Sequence, residues 1–454
     1  MSQSGLEQSQ AKMREAGLSP EAVEVFSYYY KQLESGATGM IPESTIRPYL
    51  DPPLLADLQI SHEEAASAIS QTAIIKLNGG LGTSMGLDRA KTLLDVRSGK
   101  NFLDLIVEQV KSVRDKYDAP LPLLFMTSFR TEDDTVDYLR KYPDLAVQDL
   151  PLTFLQNQEP KLRKSDLAPV EWPADPTLEW CPPGHGDIYT ALVGSGVLDR
   201  LLEAGFRYAS ISNGDNLGAF PSPEIAGWFA GTGAPYAAEL CRRTVNDKKG
   251  GHLAVRVSDG QLILRDTAQT LPEEMDFFTD EHRHPYFHTN NLWVDLRQLK
   301  EHLGQGSAVL GLPLIPNEKT VDPTDASSPE VIQIETAMGA AIEVFPGSTA
   351  ICVDRDRFLP VKTTNELLLV RSDVYDLDDR GRLIQVSSGM PEVNLTKNYY
   401  QTIDQFDRRI PEAPSLQAAT KLLVEGDWTF APGVIVEGEL ILGEEGGTVS
   451  PGIS

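Results

Sequence analysis

Four glycines fall within eight residues of the segment Lys76-Leu-Asn-Gly-Gly-Leu-Gly-Thr-Ser-Met-Gly86, and the next lysine along the chain is Lys91. Glycines set directly after a short apolar run let a backbone turn sharply and come close to a ligand. Successive N–H groups in such a loop form a concave anion site. Two common phosphate loops are excluded by spacing. A P-loop needs GxxxxGK[ST], and no Lys-Ser/Thr follows Gly86. A dinucleotide fingerprint needs GxGxxG, whereas Gly80-x-Gly82 is followed by three residues before Gly86. Lys91 offers a flexible ammonium that could neutralise phosphate. Taken alone, Lys91 reads more readily as a solvated surface lysine, and a flexible turn is the alternative reading of the loop.

Further segments carry groups of the right type. In Pro182-Pro-Gly-His-Gly-Asp187 two glycines flank His185 and present its imidazole as a ligand contact, and Asp187 is expected to cap a following helix. Ser212-Asn213-Gly214-Asp215-Asn216 ends an expected strand, where a carboxylate among amides suits Mg²⁺, which takes few protein carboxylates and keeps phosphate oxygens and waters. His288-Thr-Asn290-Asn291 offers amides that can both donate to and accept from sugar hydroxyls. Glu335-Thr-Ala-Met-Gly339 reads as a helix carrying one carboxylate towards a sugar. Lys362-Thr-Thr, after the strand-like run Arg357 to Val361, adds a second lysine. Each has a bland alternative: a turn, a strand start, a helix surface. No nucleophile elbow is present.

The elements that must hold these groups alternate. Gly5 to Gly36 reads as helix, with Ser19-Pro20 as a cap and start signal. Thr72 to Leu77, Leu121 to Thr127, Leu152 to Gln156 and Tyr208 to Ser212 read as strands. Phe102 to Tyr117, Thr131 to Lys141, Ile188 to Ala204 and Pro223 to Phe229 read as helices. Such alternation predicts a mostly parallel sheet covered by helices, with an antiparallel insertion over Tyr236 to Thr267. From Leu422, apolar residues alternate with glycine and acid at short intervals, like coils of a β-helix.

Composition bounds the class. The 454 residues are 41% hydrophobic and 23% charged, which fits a soluble globular chain. No stretch reaches the roughly 20 apolar residues of a membrane helix, and the polar amino terminus lacks the apolar core of a secretory signal. Three scattered cysteines argue against a disulfide framework or a zinc site and fit a reducing cytosol. A net charge of −26 disfavours nonspecific nucleic-acid binding. A polyphosphate ligand would therefore need a local cationic site built from lysine, backbone amides and a divalent metal.

Taken together and in order, KLNGGLGTSMG, PPGHGDIY, the Asn213-Gly-Asp-Asn-Leu-Gly-Ala stretch, NNLW, ETAMGAAI and FLPVKTT resemble the eukaryotic-type UTP–glucose-1-phosphate uridylyltransferases, and they span residues 76 to about 370. The resemblance implies an α/β fold, with a Rossmann-like mixed nucleotide-diphospho-sugar transferase sheet carrying helices on both faces and a C-terminal left-handed β-helix. It implies an N-terminal helical segment over 1–65, a catalytic domain over 66–375 and a C-terminal domain over 376–454. It also implies a cytoplasmic, Mg²⁺-dependent enzyme that joins UTP to glucose 1-phosphate.

Residue by residue, Leu77, Asn78, Gly79 and Gly80 would hold the uracil and nucleotide backbone. Gln156 would read uracil, with Gly184 beside the base, and Lys91 would contact the triphosphate. His185, Asn213 and Gly214 would face the sugar phosphate. Asn290 and Glu335 would hold glucose hydroxyls, Asp215 would bind the metal, and Lys362 would be catalytic beside Lys91. The family usually has Ser at the position of Gly214, Asn at that of His288 and Pro at that of Ala90; no charged catalytic group is lost. A homo-oligomer is within the family's range, but the chain stops earlier than relatives that octamerise through the β-helix. The same chemistry on galactose or N-acetylhexosamine 1-phosphate, a sugar-nucleotide-dependent glycosyltransferase, and a non-catalytic sensor are the rival readings.

Overall fold

The structure is a computed structural model that describes residues 4–244, 247, 250–304 and 307–452. Val245, Asn246, Lys248 and Lys249, within the expected insertion, lie outside the described residues, as do the first three residues of the polar amino terminus.

Seven strands form the central sheet, in the spatial order Thr349–Cys352, Tyr236–Arg242, Tyr286–Asp295, Tyr208–Asn213, Thr72–Asn78, Leu123–Thr127 and Thr153–Leu155. Only Tyr286–Asp295 runs against its neighbours. All other pairings are parallel, so the mixed α/β sheet expected from the alternation is present. The carboxyl ends of six strands therefore share one rim with the amino end of the seventh. Strand order reverses between Thr72–Asn78 and Tyr208–Asn213, and such a switch opens a crevice at the carboxyl ends.

Both faces of the sheet are covered. In Thr72–Asn78, Ile74 enters one core with helix Phe102–Tyr117, while Ala73 and Ile75 enter the other with the N-terminal helices. Alternating burial on two faces explains why this strand is an apolar run rather than an alternating one. Helix Phe102–Tyr117 has the predicted bounds, capped by Asn101 with Asp104 returning the bond.

Two expected helices are each divided. Gly5–Glu15 and Pro20–Glu34 are separated at Gly17 to Ser19, and Ser19 caps the second as anticipated. Ile188–Gly194 and Val197–Glu203 part at Gly196, whose φ of +71° leaves the helical region. The middle segment is only partly an insertion. Tyr236–Arg242 belongs to the main sheet, while Gly251–Arg256 and Leu262–Asp266 pair antiparallel beside Ile46–Pro48.

In the tail, Glu392–Leu395, Ser415–Val424 and Ile435–Leu442 pair in parallel, as do Trp428–Phe430 and Gly447–Val449. Leu416, Leu422, Val424 and Phe430 enter the same core as helix Phe102–Tyr117. The tail is thus packed onto one face of the sheet. Cys181, Cys241 and Cys352 are free and buried.

Candidate functional site

Strand Thr72–Asn78 delivers the glycine-rich loop to the rim. Asn78 is 2% exposed and its amide is engaged on both sides. Its Nδ2 donates to Thr135 Oγ1 at 2.8 Å, its Oδ1 accepts from Thr92 Oγ1 at 2.7 Å, and its carbonyl accepts from Thr131 Oγ1. Asn78 therefore anchors the loop, with one donor of its amide nitrogen and one acceptor position of its oxygen already engaged. Ser128 Oγ holds the Gly79 carbonyl at 2.9 Å. A side chain at Gly79 would lie 2.9 Å from Gln156 Nε2, so glycine is what lets the Gln156 amide close over the loop. Leu77 pairs with Asn213 across the switch point, and Gly214 N–H donates to the Leu77 carbonyl at 2.9 Å.

The charged groups meet at this point. Lys91, whose N–H is held by the Gly80 carbonyl, places Nζ 2.6 Å from Asp215 Oδ2. The Asp215 carbonyl accepts from Val361 N–H at 3.2 Å, which ties the Lys362 segment to the same turn. Lys362 is exposed, and its charge reaches Asp266, whose carboxyl is raised by burial and partly drawn back by that lysine. The run Arg357 to Val361 is not a strand as expected. A helical turn at Arg355–Arg357 is followed by one isolated bridge, Asn216 to Pro360, because Asn216 takes the ladder's place: its Oδ1 accepts from Leu359 N–H at 2.8 Å.

Beneath these groups lies a network centred on Glu239, which no sequence motif announces. Arg357 grips Glu239 through a fork, Nε to Oε2 at 2.6 Å and Nη2 to Oε1 at 2.8 Å, with 3% and 0% exposure. Burial alone would raise Glu239. The Arg357 charge and its fork, together with Trp293 Nε1 and Asn291 Nδ2, hold it below the usual carboxylate range. Asn291 and Asn216 both donate to the Arg357 carbonyl. Lys76, 1% exposed, donates to Ser212 Oγ and the Ala219 carbonyl, and burial with the nearby Arg357 charge brings it down to about 7. Asn216, Asn291 and Lys76 stood inside the quoted motifs, which was the available signal. Glu239 had none.

The other half of the rim carries the neutral polar groups. Gly184 has φ +76°, and a side chain there would meet the Thr336 carbonyl at 2.6 Å and Glu335 Cβ at 3.1 Å. This close approach seats the Pro182–Asp187 turn on Glu335, with Thr336 N–H donating to Pro183 O and Gly186 N–H to Thr336 O. His185 Nδ1 accepts from Met338 N–H at 2.9 Å, and burial holds the ring down at about 4. The neutral ring then carries its proton on Nε2.

Asp187 does not cap the helix: its carboxylate is drawn instead to Asn157, accepting from the backbone N–H at 2.6 Å and from Nδ2 at 2.8 Å. Glu335 ends the strand Glu330–Glu335, not a helix, since Val331 to Ile334 pair with a neighbouring strand; its Oε1 accepts from Asn317 Nδ2 at 2.8 Å. Asn290 stands at φ +59° in the middle of Tyr286–Asp295, at the irregularity where the pairing with Tyr236–Arg242 shifts between Ala238 and Leu240. A bulge re-aims a side chain in this way. His288 lies within the same strand, not at its start; its Nδ1 accepts from Asn290 N–H at 3.1 Å.

Among the described residues no group of three or more His, Cys, Asp or Glu side chains could hold a metal by itself. Asp215, alone and 22% exposed, fits Mg²⁺ held by one carboxylate with phosphate oxygens and waters, and does not fit a protein-only cage.

The family model described as UTP–glucose-1-phosphate uridylyltransferase matches residues 23–437. The UTP–glucose-1-phosphate uridylyltransferase of Saccharomyces cerevisiae is 38% identical over 381 residues, 84% of this chain and 75% of that one. That of Solanum tuberosum is 37% identical over 398 residues, 87% and 81% respectively. A variant of UDP-glucose pyrophosphorylase from Leishmania major, solved in complex with UDP-glucose, superposes with a TM-score of 0.89 at 38% identity, covering 99% of this chain and 100% of that one. A UDP-glucose phosphorylase from Trypanosoma brucei gives 0.91 at 39%, with 99% and 97% covered.

Proposed function

The chain belongs to the UTP–glucose-1-phosphate uridylyltransferase family, and from this premise we propose how its own residues run the reaction. It is an enzyme that makes UDP-glucose and pyrophosphate from UTP and glucose 1-phosphate. The observation that carries the assignment of roles is the meeting of Lys91, Asp215 and the Lys362 segment at the strand-order switch.

An oxygen of glucose 1-phosphate attacks the α-phosphorus of UTP, and pyrophosphate leaves. Both reactants are anions, so the site must position them in line and neutralise charge, with little need for acid–base groups. Leu77, Gly79 and Gly80 present backbone to the uridine, Asn78 anchors that backbone, and Gln156 and Gly184 bracket the base. Lys91 neutralises the triphosphate, and Lys362, on an exposed turn tied to Asp215, stabilises the charge that builds on the α-phosphate. His185 Nε2–H, Asn213 and Gly214 face the sugar phosphate, and Asn290 and Glu335 take glucose hydroxyls. Mg²⁺, held by Asp215 when bound, would add positive charge between the phosphates.

We divide the chain into 1–65, 66–375 and 376–454, supported by the single sheet of strands 72–352 and by the separate pairing of strands 392–449. We read the parallel tail ladders as short coils of a left-handed β-helix. The exposed Ile435 and Ile441 on its outer strand support a homo-oligomeric contact, without requiring an octamer. A cytoplasmic location is supported by the three free thiols. Among the described residues no helix is long and apolar enough to cross a membrane.

The test is pyrophosphate release from UTP with Mg²⁺ and each of four sugar 1-phosphates: glucose, galactose, N-acetylglucosamine and N-acetylgalactosamine. Glucose 1-phosphate is expected to give the highest kcat/KM. A higher value with any other sugar would overturn the assigned sugar specificity.

A further inference from the structure

One buried carboxylate joins the uracil side of the rim to the sugar-phosphate side. Strand Thr153–Leu155 keeps to the sheet as far as Gln156, whose N–H still donates to the Thr127 carbonyl at 2.8 Å. The next N–H, that of Asn157, leaves the ladder and donates to Asp187 Oδ2 at 2.6 Å, while Asn157 Nδ2 donates to Asp187 Oδ1 at 2.8 Å. Each carboxylate oxygen is matched to one donor, and both bonds cross from residue 157 to residue 187. Asp187 is 5% exposed. Burial pushes its carboxyl up to about 7, and the two Asn157 bonds oppose that rise. Bonds to an ionised, water-excluded carboxylate are among the stronger ones a chain can make.

The turn that carries Asp187 is anchored to the sugar side by other contacts. Gly186 N–H donates to Thr336 O at 2.8 Å, Thr336 N–H to Pro183 O at 3.0 Å, and Met338 N–H to His185 Nδ1 at 2.9 Å. On the base side, Glu159–Pro160 pairs with Trp180–Cys181, which ties the same two segments further along the chain. The bonds to Asn157 are therefore the tie nearest Gln156. The Gln156 amide is packed over Gly79, where a side chain would stand 2.9 Å from its Nε2. A group packed that closely cannot drift without cost, and a misplacement of about 1 Å can cost on the order of 10²-fold.

We propose that Asp187 is a positioning residue for base reading: its carboxylate holds Asn157, and through Asn157 the Gln156 amide, in fixed relation to the turn that carries His185. This rests on the base-reading role given to Gln156 above. Asp187 acts through Asn157 and not on substrate. Its effect falls on UTP more than on the sugar phosphate, because His185 keeps its own bond to Met338 when Asp187 is cut.

The test is steady-state formation of UDP-glucose by the full chain with Mg²⁺, with UTP and glucose 1-phosphate varied in turn. Asp187→Ala is expected to raise KM for UTP about tenfold, with KM for glucose 1-phosphate within about twofold of the wild type. Asp187→Asn is expected to recover most of the loss, since its Oδ1 accepts from Asn157 N–H and its Nδ2 donates to a reversed Asn157 amide. Added to Gln156→Ala, the Asp187→Ala change is expected to raise KM for UTP no further. The proposal is overturned by an unchanged KM for UTP in Asp187→Ala, by equal rises in both KM values, or by full additivity with Gln156→Ala. If Asp187→Ala does not fold, Asn157→Ala, which removes one of the two bonds, is measured in its place. A rise of about threefold in KM for UTP is then expected, and an unchanged value overturns the proposal. A normal KM for UTP in Gln156→Ala would overturn the base-reading assignment itself, and the proposal with it, whatever Asp187→Ala does.

Discussion

Lys91 Nζ lies 2.6 Å from Asp215 Oδ2, with the two side chains 16% and 22% exposed. The lysine read as a phosphate contact and the carboxylate read as a metal ligand are partners of one another. Each has to be shared between its neighbour and the incoming phosphates. Lys91→Ala and Asp215→Asn are each expected to lower kcat by ~10²–10³, in line with the loss of one preorganised electrostatic contact. The double variant is expected to fall well short of the product of the two, because coupled charges are not additive. Asp215→Asn should also raise the Mg²⁺ concentration for half-maximal rate. A double-mutant cycle with a Mg²⁺ titration checks both, and strictly additive losses would show that the pair acts as two independent groups.

Lys362 is exposed, its charge reaches Asp266, and its backbone neighbour Val361 is tied to Asp215. Lys362→Ala is expected to cost about 2.7–4 kcal/mol of transition-state stabilisation, with the melting temperature unchanged. Single-turnover rates beside a thermal melt separate the two effects. Near-normal turnover would remove Lys362 from the mechanism.

Arg357 and Glu239 form a buried pair, and cutting one member strands the other. Arg357→Met is expected to destabilise the fold by about 3–5 kcal/mol. Denaturant unfolding of the variant measures it. Replacing both, as Arg357→Met with Glu239→Gln, should recover part of the loss.

A side chain at residue 184 would need both a left-handed backbone and space now taken by the Thr336 carbonyl. Gly184→Ala is expected to lose about 1–3 kcal/mol of stability and to raise KM more than it lowers kcat, since it shifts the turn that brackets base and sugar. Steady-state kinetics with each substrate varied in turn would reveal the split.

His288 is 4% exposed, and burial holds it down at about 4, while an unfolded histidine titrates near 6.5. On acidification the unfolded chain takes up the proton first. The stability this neutral ring represents is therefore present above about pH 6.5 and is lost as pH falls towards 4. Between pH 7.5 and 5 the wild type should lose about 2 kcal/mol more than His288→Asn. Parallel unfolding curves at the two pH values decide this, and equal losses would mean that the ring titrates normally.

The sequence was most informative where physical cause is local. Helix Phe102–Tyr117 has its predicted ends because a cap and an apolar stripe lie in one stretch. The glycine loop after Thr72–Asn78 is likewise a local signal. Glycine within a helical pattern was less decisive. Gly17 and Gly196 end helices, although a glycine in mid-helix costs only ~1 kcal/mol and so does not by itself mark a break. Glu335 was misread because Ala337 to Ala341 carry helix formers, whereas its strand depends on pairing with Ile315–Thr320. Glu239 lay in an apolar run without a sign of its role, since its partner stands 118 residues away. The left-handed turn at Asn290 depends on a strand neighbour and has no local signature either.

Translation runs from the amino terminus, and the fork between Arg357 and Glu239 joins segments made far apart in time. The loop, the sugar turn and five of the seven sheet strands emerge before residue 285, but the positive charge that pairs with Glu239, and the carbonyl that Asn216 and Asn291 share, come only with Arg357. A chain that ends before Arg357 lacks the guanidinium that grips Glu239. The fork thus ties the floor of the site to one of the last segments of the catalytic sheet region to be made.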